Sequence, residues 1–264
     1  MPRYDFRQPR LYLDDPLAAG SRIALGRDAA NYLRNVLRLK DGGSILLFNG
    51  RDGEWQASLA ADGKRSLAAE VGERTRPQPV PADLHYLFAP IKHARLDYMV
   101  QKAVELGVSR LQPVITQHTQ VARVNVERMR ANAIEAAQQC GILTIPDIVE
   151  PVAFKALLGR LGEDRLLIFC DEIAEVKDPI AALTPERTPA SALVPLEAAR
   201  ASPLAVLIGP EGGFSEEERD ALLARGNTVR LALGPRILRA DTAAVAALTL
   251  VQAVLGDWTA PAEN

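Results

Sequence analysis

From Leu84 onward the chain alternates short apolar runs with glycine-stopped helical patterns, and no other feature narrows the possible folds as far. LHYLFAPI (84–91), RLQPVI (110–115), RLLIFCDE (165–172), LAVLIG (204–209) and TVRLALG (228–234) read as strands, with DIVEP (147–151) a shorter one. Between them, ARLDYMVQKAVELGV (94–108) places Leu96, Met99, Val100, Ala103 and Val104 on one helical face, and Gly107 ends it. NVERMRANAIEAAQQCG (125–141) repeats the pattern, FKALLGRL (154–161) continues the series, and an apolar helix starts near Thr242. Near-continuous apolar strands separated by helices demand a parallel sheet covered on both faces. Residues 175–203, rich in alanine and proline without a period, read as a surface loop.

The residues before Leu84 have another texture. SILLFNG (44–50), EWQASLA (54–60) and SLAAEVG (66–72) are short β segments, the last two joined by ADGKR as a hairpin. DAANYLRNVLRLKDGG (28–43) reads as one helix with Leu33, Val36 and Leu37 on a stripe, stopped at the glycine pair. Three prolines within ERTRPQPVPADL (73–84) mark a linker. The expected organisation is a small, mostly β domain over 1–74, a linker over 75–82, an α/β domain over 83–257 and a short tail.

The net charge of −2 hides an asymmetry. Residues 1–40 carry eight basic side chains against four aspartates, so this front end is near +4 and the remainder near −6. A basic front end fits a local footprint for a polyanion. Cys140 and Cys170 stand far apart, outside any Cys-x-x-Cys pattern, and read as reduced thiols of a cytosolic protein. Three scattered histidines argue against a metal site. TAAVAALTLVQAVLG (242–256) is too short for a membrane span.

Ligands of parallel sheets bind beyond the carboxyl ends of the strands. Two strand ends are heavily punctuated: LIGPEGGFSEEE (207–218) and LALGPRILRADTAA (231–244). Neither is a Walker or dinucleotide-binding loop. In the first, Ser215 and Glu218 form a capping box, with Glu216 and Glu217 in the same turn. Those carboxylates already complement the helix dipole, so a phosphate would meet three negative charges. A neutral or cationic ligand suits the loop better, with Gly209, Gly212 and Gly213 allowing close backbone approach and Glu211 as an acceptor. In the second loop Arg236 and Arg239 precede Asp241, which stands where an N-cap of the last helix belongs.

Together the two loops resemble the RsmE family of ribosomal RNA uridine-N3 methyltransferases, in the SPOUT superfamily. The resemblance extends to YLRNVLRLKDGGSILLFNG, VQKAVELGVSRLQPV and AAQQCG...IPDI, and so covers nearly the whole chain. It implies an N-terminal PUA-like β-barrel and a C-terminal α/β domain with a deep trefoil knot over about 166–250. S-adenosylmethionine would bind in the knot, against Leu207, Ile208, Gly209, Pro210, Gly212, Gly213, Leu233, Gly234, Ile237, Leu238 and Glu172. Arg239 would stabilise the uracil oxyanion, and Asp241 or Glu211 would accept the N3 proton or orient the base. Arg7, Arg10, Arg34, Arg38, Lys92 and Arg95 would contact small-subunit (16S) ribosomal RNA. A cytoplasmic homodimer without metal is implied. The sequence departs from the family's pattern at Gln117-His118, at Ile142 and at Asp241, where a longer carboxylate is usual. Two alternatives stay open: another SPOUT methyltransferase, acting on a ribose 2′-oxygen or on transfer RNA, and a non-catalytic assembly protein that binds ribosomal RNA.

Overall fold

A computed structural model describes residues 8–63, 66–121, 123–184 and 202–259. Two compact units emerge, Met1–Val80 with Ile134–Ile145, and Pro81–Ala133 with Pro146–Asn264.

The first unit holds a five-stranded sheet in the order β1-β3-β4-β5-β2, with β1 at Arg10–Tyr12, β2 at Arg22–Leu25, β3 at Ser44–Phe48, β4 at Glu54–Ala61 and β5 at Leu67–Arg76. All pairings are antiparallel except β1 with β3. Leu33, Ile45, Leu47, Leu59 and Leu67 form its core. The helix expected over 28–43 is shorter than its apolar stripe suggests. Helix α1 (Arg27–Asn31) passes into a π-helical turn over Tyr32–Val36, and Arg38 takes a left-handed φ of 56°. A left-handed residue breaks the helix before the glycine pair is reached. At the start of the central strand β4, Glu54 is buried between Arg10 (2.7 Å) and Arg76 (2.6 Å). Burial pushes the Glu54 carboxyl up, but hydrogen bonds from Arg76 and Arg10 prevail and hold it below its usual range.

The second unit is built on a parallel sheet. Its strands are β6 (Leu84–Phe88), β7 (Arg110–Ile115), β8 (Asp147–Ile148), β10 (Leu166–Cys170), β11 (Leu204–Ile208) and β12 (Thr228–Leu231). The order is β12-β10-β11-β6-β7-β8, and the two-residue β9 (Val152–Ala153) also pairs with β7. Helices α2 (His93–Glu105), α3 (Val126–Cys140) and α4 (Phe154–Arg160) lie close to their expected spans. The expected loop at 175–203 contains one ordered turn, α5 (Pro179–Leu183). Asp178 caps it by accepting from the amides of Ile180 and Ala181, with Pro179 at the first helical position. Residues 185–201 of that stretch lie outside the described residues.

His85, on the interior strand β6, makes stability depend on pH. Burial, followed by the Arg165 cation, lowers its pKa from 6.5 to about 4, against the opposing pull of Asp83. The folded state therefore favours neutral imidazole. This contribution is complete above the unfolded value and is lost as pH falls from 6.5 toward about 4. The melting temperature is expected to drop across that window, and His85→Gln to flatten the drop. Calorimetric melts of both proteins at several pH values check this, and equal slopes would contradict it.

Candidate active site

The carboxyl ends of β10, β11 and β12 converge on one cavity of about 510 Å³. Its first wall is the turn after β11. Gly213 holds φ at +71°, a conformation that costs other residues strain. A Cβ on Gly209 would stand 2.5 Å from the Phe214 ring, so only glycine lets that ring fold back over the turn. Phe214 in turn packs edge-on against Phe169, with ring centroids 5.1 Å apart.

Helix α6 (Glu216–Leu223) follows with the capping box in place. Glu218 N–H donates to the Ser215 hydroxyl (3.2 Å), and Ser215 N–H donates to the Glu218 carboxylate (3.1 Å). The second Glu218 oxygen accepts from the Gln117 amide (2.8 Å), tying the loop after β7 to this helix. The helix end is thus occupied from within, and no phosphate cradle exists there.

The second wall is the loop after β12, where Gly234 takes φ +92°. The third is the end of β10. Asp171, 2% exposed, accepts from Arg219 (2.7 Å) and Arg230 (2.9 Å), and its other oxygen accepts from the Ile173 amide (3.1 Å). One buried carboxylate thereby joins β10, α6 and β12.

Of the expected cofactor residues, Ile208, Gly209, Pro210, Gly212, Gly213, Leu233, Gly234, Ile237, Leu238 and Glu172 all line this cavity, as do Glu211 and Arg239. Leu207 does not. Its side chain is fully buried in the core with Phe169 and Leu222, because alternate residues of β11 face opposite sides of the sheet. Cys170, Asp171 and Arg236 also line it, and so do Leu231, Ala240, Ala243 and Phe214, which were not anticipated. Phe214 alone left a trace in the sequence, an aromatic residue set between a glycine pair and a helix cap. The lining suits a ligand with a flat heterocycle and a positive centre. Apolar side chains and glycine backbone can take the ring, two carboxylates can face the cation, and Arg236 can take a carboxylate. S-adenosylmethionine has each of these groups.

A second cavity of about 340 Å³ shares Pro210 and Glu211 with the first. Lys92, Arg95, His118, Gln120, Ile91 and Val121 stand in its wall. Arg95 lies 3.3 Å from Glu211 and 4.0 Å from Asp241, so it links the two acids expected at the chemistry. Asp241 is not the N-cap of the last helix, α7 (Ala240–Val254); that position is Arg239, whose side chain makes no capping bond. Asp241 sits one residue inside the helix and accepts from the Thr242 amide (3.0 Å). Arg239 is exposed and forms no ion pair among the described residues.

The expected RNA contacts in the first unit diverge. Arg10 is buried against Glu54, leaving it no solvent face to offer a phosphate. Arg34 pairs with Asp41 at 3.0 Å on the surface, and Arg38 is exposed. Arg7 lies outside the described residues. No helix is long and apolar enough to cross a membrane, and no acid, histidine or cysteine cluster could hold a metal, among the described residues.

The model of a family described as an RNA methyltransferase domain matches residues 78–252. The chain belongs to this family of RNA methyltransferases. A second model, described as an RNA methyltransferase PUA domain, matches residues 25–72. Among curated RNA methyltransferases, ribosomal RNA small subunit methyltransferase E of Rickettsia conorii is 31% identical over 244 residues, 92% of this chain and 94% of its own. The same-named protein of Neisseria gonorrhoeae, solved bound to S-adenosyl methionine, superposes with a TM-score of 0.79 at 27% identity, covering 96% of this chain and 100% of that one. A Legionella pneumophila protein, solved with the bound cofactor SAM, gives 0.79 at 29% identity, covering 95% and 99%. The α/β architecture with a parallel sheet and a small N-terminal β domain agrees with the sequence reading.

Proposed function

We infer that this RNA methyltransferase transfers a methyl group from S-adenosylmethionine to N3 of a uridine in 16S ribosomal RNA of the small subunit. The observation that carries this reading is the joining of two far-separated loops, LIGPEGG and LGPRILRA, around one cavity of the right chemistry. Relatives over nearly the full chain, named for small-subunit ribosomal RNA, supply the substrate class.

When bound, S-adenosylmethionine supplies a methyl group on a positively charged sulfur, already a strong electrophile. The chain's own residues have three tasks. Glycine backbone at 209, 212, 213 and 234 allows close approach, and Glu172 and Glu211 face positive charge. Arg239, free of ion pairs among the described residues, offers its guanidinium to the oxyanion that grows on uracil as N3 loses its proton. Arg95 holds Glu211 and Asp241 in place at the mouth. N3 lies on the pairing edge, so the uridine must be unpaired or swung out to reach these groups.

Arg34 and Arg38 in the first unit, with Lys92 in the second, provide phosphate contacts. A trefoil knot fits a sheet in which β11 enters between β6 and β10, both earlier in the chain. A second copy of the chain, packed on the knot in the cytoplasm, accounts for Ile237 at 97% exposure and for the half-buried Val245 and Leu250 of α7.

Titration calorimetry tests the cofactor assignment. S-adenosylmethionine is expected to bind one site per chain, and Gly209→Val to weaken binding about tenfold or more by displacing Phe214 from the wall. Binding unaffected by that substitution would place the cofactor elsewhere.

A further inference from the structure

The smaller cavity beside Pro210 and Glu211 contains a histidine whose tautomer is fixed by its partner. His118 Nδ1 lies 3.1 Å from the Gly213 carbonyl oxygen. A carbonyl oxygen can only accept, so Nδ1 carries the hydrogen, and in the neutral ring Nε2 keeps its lone pair. The loop bearing this ring is well held. The Thr116 amide donates to the Thr119 hydroxyl (2.9 Å), and the Gln117 amide donates to Glu218 (2.8 Å). Gly212 packs so closely that a Cβ there would be 3.2 Å from His118 Cβ.

We propose that this cavity receives the uracil ring of the target nucleotide and that His118 Nε2 accepts the N3 proton. The proposal rests on the uridine-N3 reading above. The pairing edge of uracil presents an acceptor, a donor and an acceptor: O4, N3–H and O2. The wall offers the complement. Arg95 is the donor for one oxygen and Arg239, from the adjoining cavity, for the other, Nε2 is the acceptor for N3–H, and Ile91 and Val121 provide apolar surface for the ring. Cytosine has no proton on N3 and turns an amino group toward the cations, so the cavity discriminates against it. The charged groups around His118 are Lys92 and Arg95 at the start of α2, Glu211 on the turn after β11, and Glu218 on α6.

In the step, the proton passes from N3 to Nε2, and the electron pair of the N–H bond stays on N3. That pair forms the new bond to the methyl carbon as the methyl–sulfur bond breaks, and the electrons of that bond stay on the sulfur of the departing neutral thioether. The resulting imidazolium, on an exposed residue, returns its proton to water.

His118→Asn provides the test, because the asparagine amide can still donate to the Gly213 carbonyl while lacking any counterpart of Nε2. At neutral pH its kcat is expected to fall about 100-fold or more, with cofactor affinity and KM for RNA unchanged. The pH profiles of kcat should differ between the two proteins, because only the wild type has a base placed to take the N3 proton. In the cofactor-free protein, nitrogen-15 NMR should show the Nδ1–H tautomer, and a uridine-bearing oligonucleotide should shift Nε2 where its cytidine counterpart does not. A variant with wild-type kcat and pH profile, or an Nε2–H tautomer, overturns the proposal. Failure of the wild type itself to methylate N3 overturns the underlying functional reading, and the two failures are told apart by which protein is inactive.

Discussion

Asp171→Ala is expected to lower the free energy of unfolding by about 3 kcal/mol, a large part of the roughly 5–15 kcal/mol that holds a domain folded. The carboxylate is buried and binds two guanidinium groups, Arg219 and Arg230. Removing it leaves Arg219 without its carboxylate and Arg230 with only the exposed Glu175, 3.8 Å away. Each is partly exposed, at 20% and 26%, and can turn toward water, which keeps the loss at the lower end of the usual range for buried pairs. The same carboxylate fixes the third wall of the larger cavity, since the Arg230 guanidinium also reaches the Ile173 carbonyl (3.1 Å). Cofactor affinity should therefore fall with stability. Asp171→Asn, which still accepts from the Ile173 amide, should lose less. Denaturant titration of the three proteins checks this, and an alanine variant as stable as wild type would show that the network is dispensable.

Arg239→Ala is expected to reduce kcat by about 100- to 1,000-fold while leaving the fold and cofactor affinity intact. The reason lies in what the side chain does not do. It is exposed, makes no ion pair among the described residues, and does not cap α7 although its backbone occupies the cap position. Its removal costs the folded state little. In the reaction proposed above it would face the negative charge that leaves N3 for the uracil oxygens, in a cavity partly shielded from water, where a fixed cation is worth most. Arg239→Lys should recover part of the rate, because charge is restored without the guanidinium's geometry. Single-turnover kinetics with thermal melts separate this from misfolding. Full activity in the alanine variant would remove Arg239 from the chemistry.

The architecture was legible where apolar period and glycine punctuation agreed. Gly107 and Gly141 both take positive φ just beyond the helices they end, and the strands they separate pair in parallel as expected. The stripe over 28–43 misled because Leu33, Val36 and Leu37 satisfy a helical period while Arg38, with an ordinary side chain, adopts a turn conformation that no local signal announces. Asp178 and Pro179 did carry a helix-start signal inside the proline-rich stretch, but the helix is a single turn and too short for periodicity to reveal.

Within the site, the capping box settled the loop's character in advance, because its chemistry is local. What stayed hidden depends on long-range pairing. Arg10 reads as a surface cation until Glu54, 44 residues away, buries it. Asp171 reads as the end of a strand until two arginines from other elements close on it. His118 stood out only as a departure at a loop position, and its partner Gly213 is 95 residues distant.

The most direct test supplies the purified protein with S-adenosylmethionine labelled in its methyl group and with small ribosomal subunits or their RNA. The RNA is then digested and its nucleosides resolved by mass spectrometry. The label is predicted to appear in N3-methyluridine, at a single site. Label in a 2′-O-methylated nucleoside, label in transfer RNA alone, or no labelled nucleoside would contradict the account.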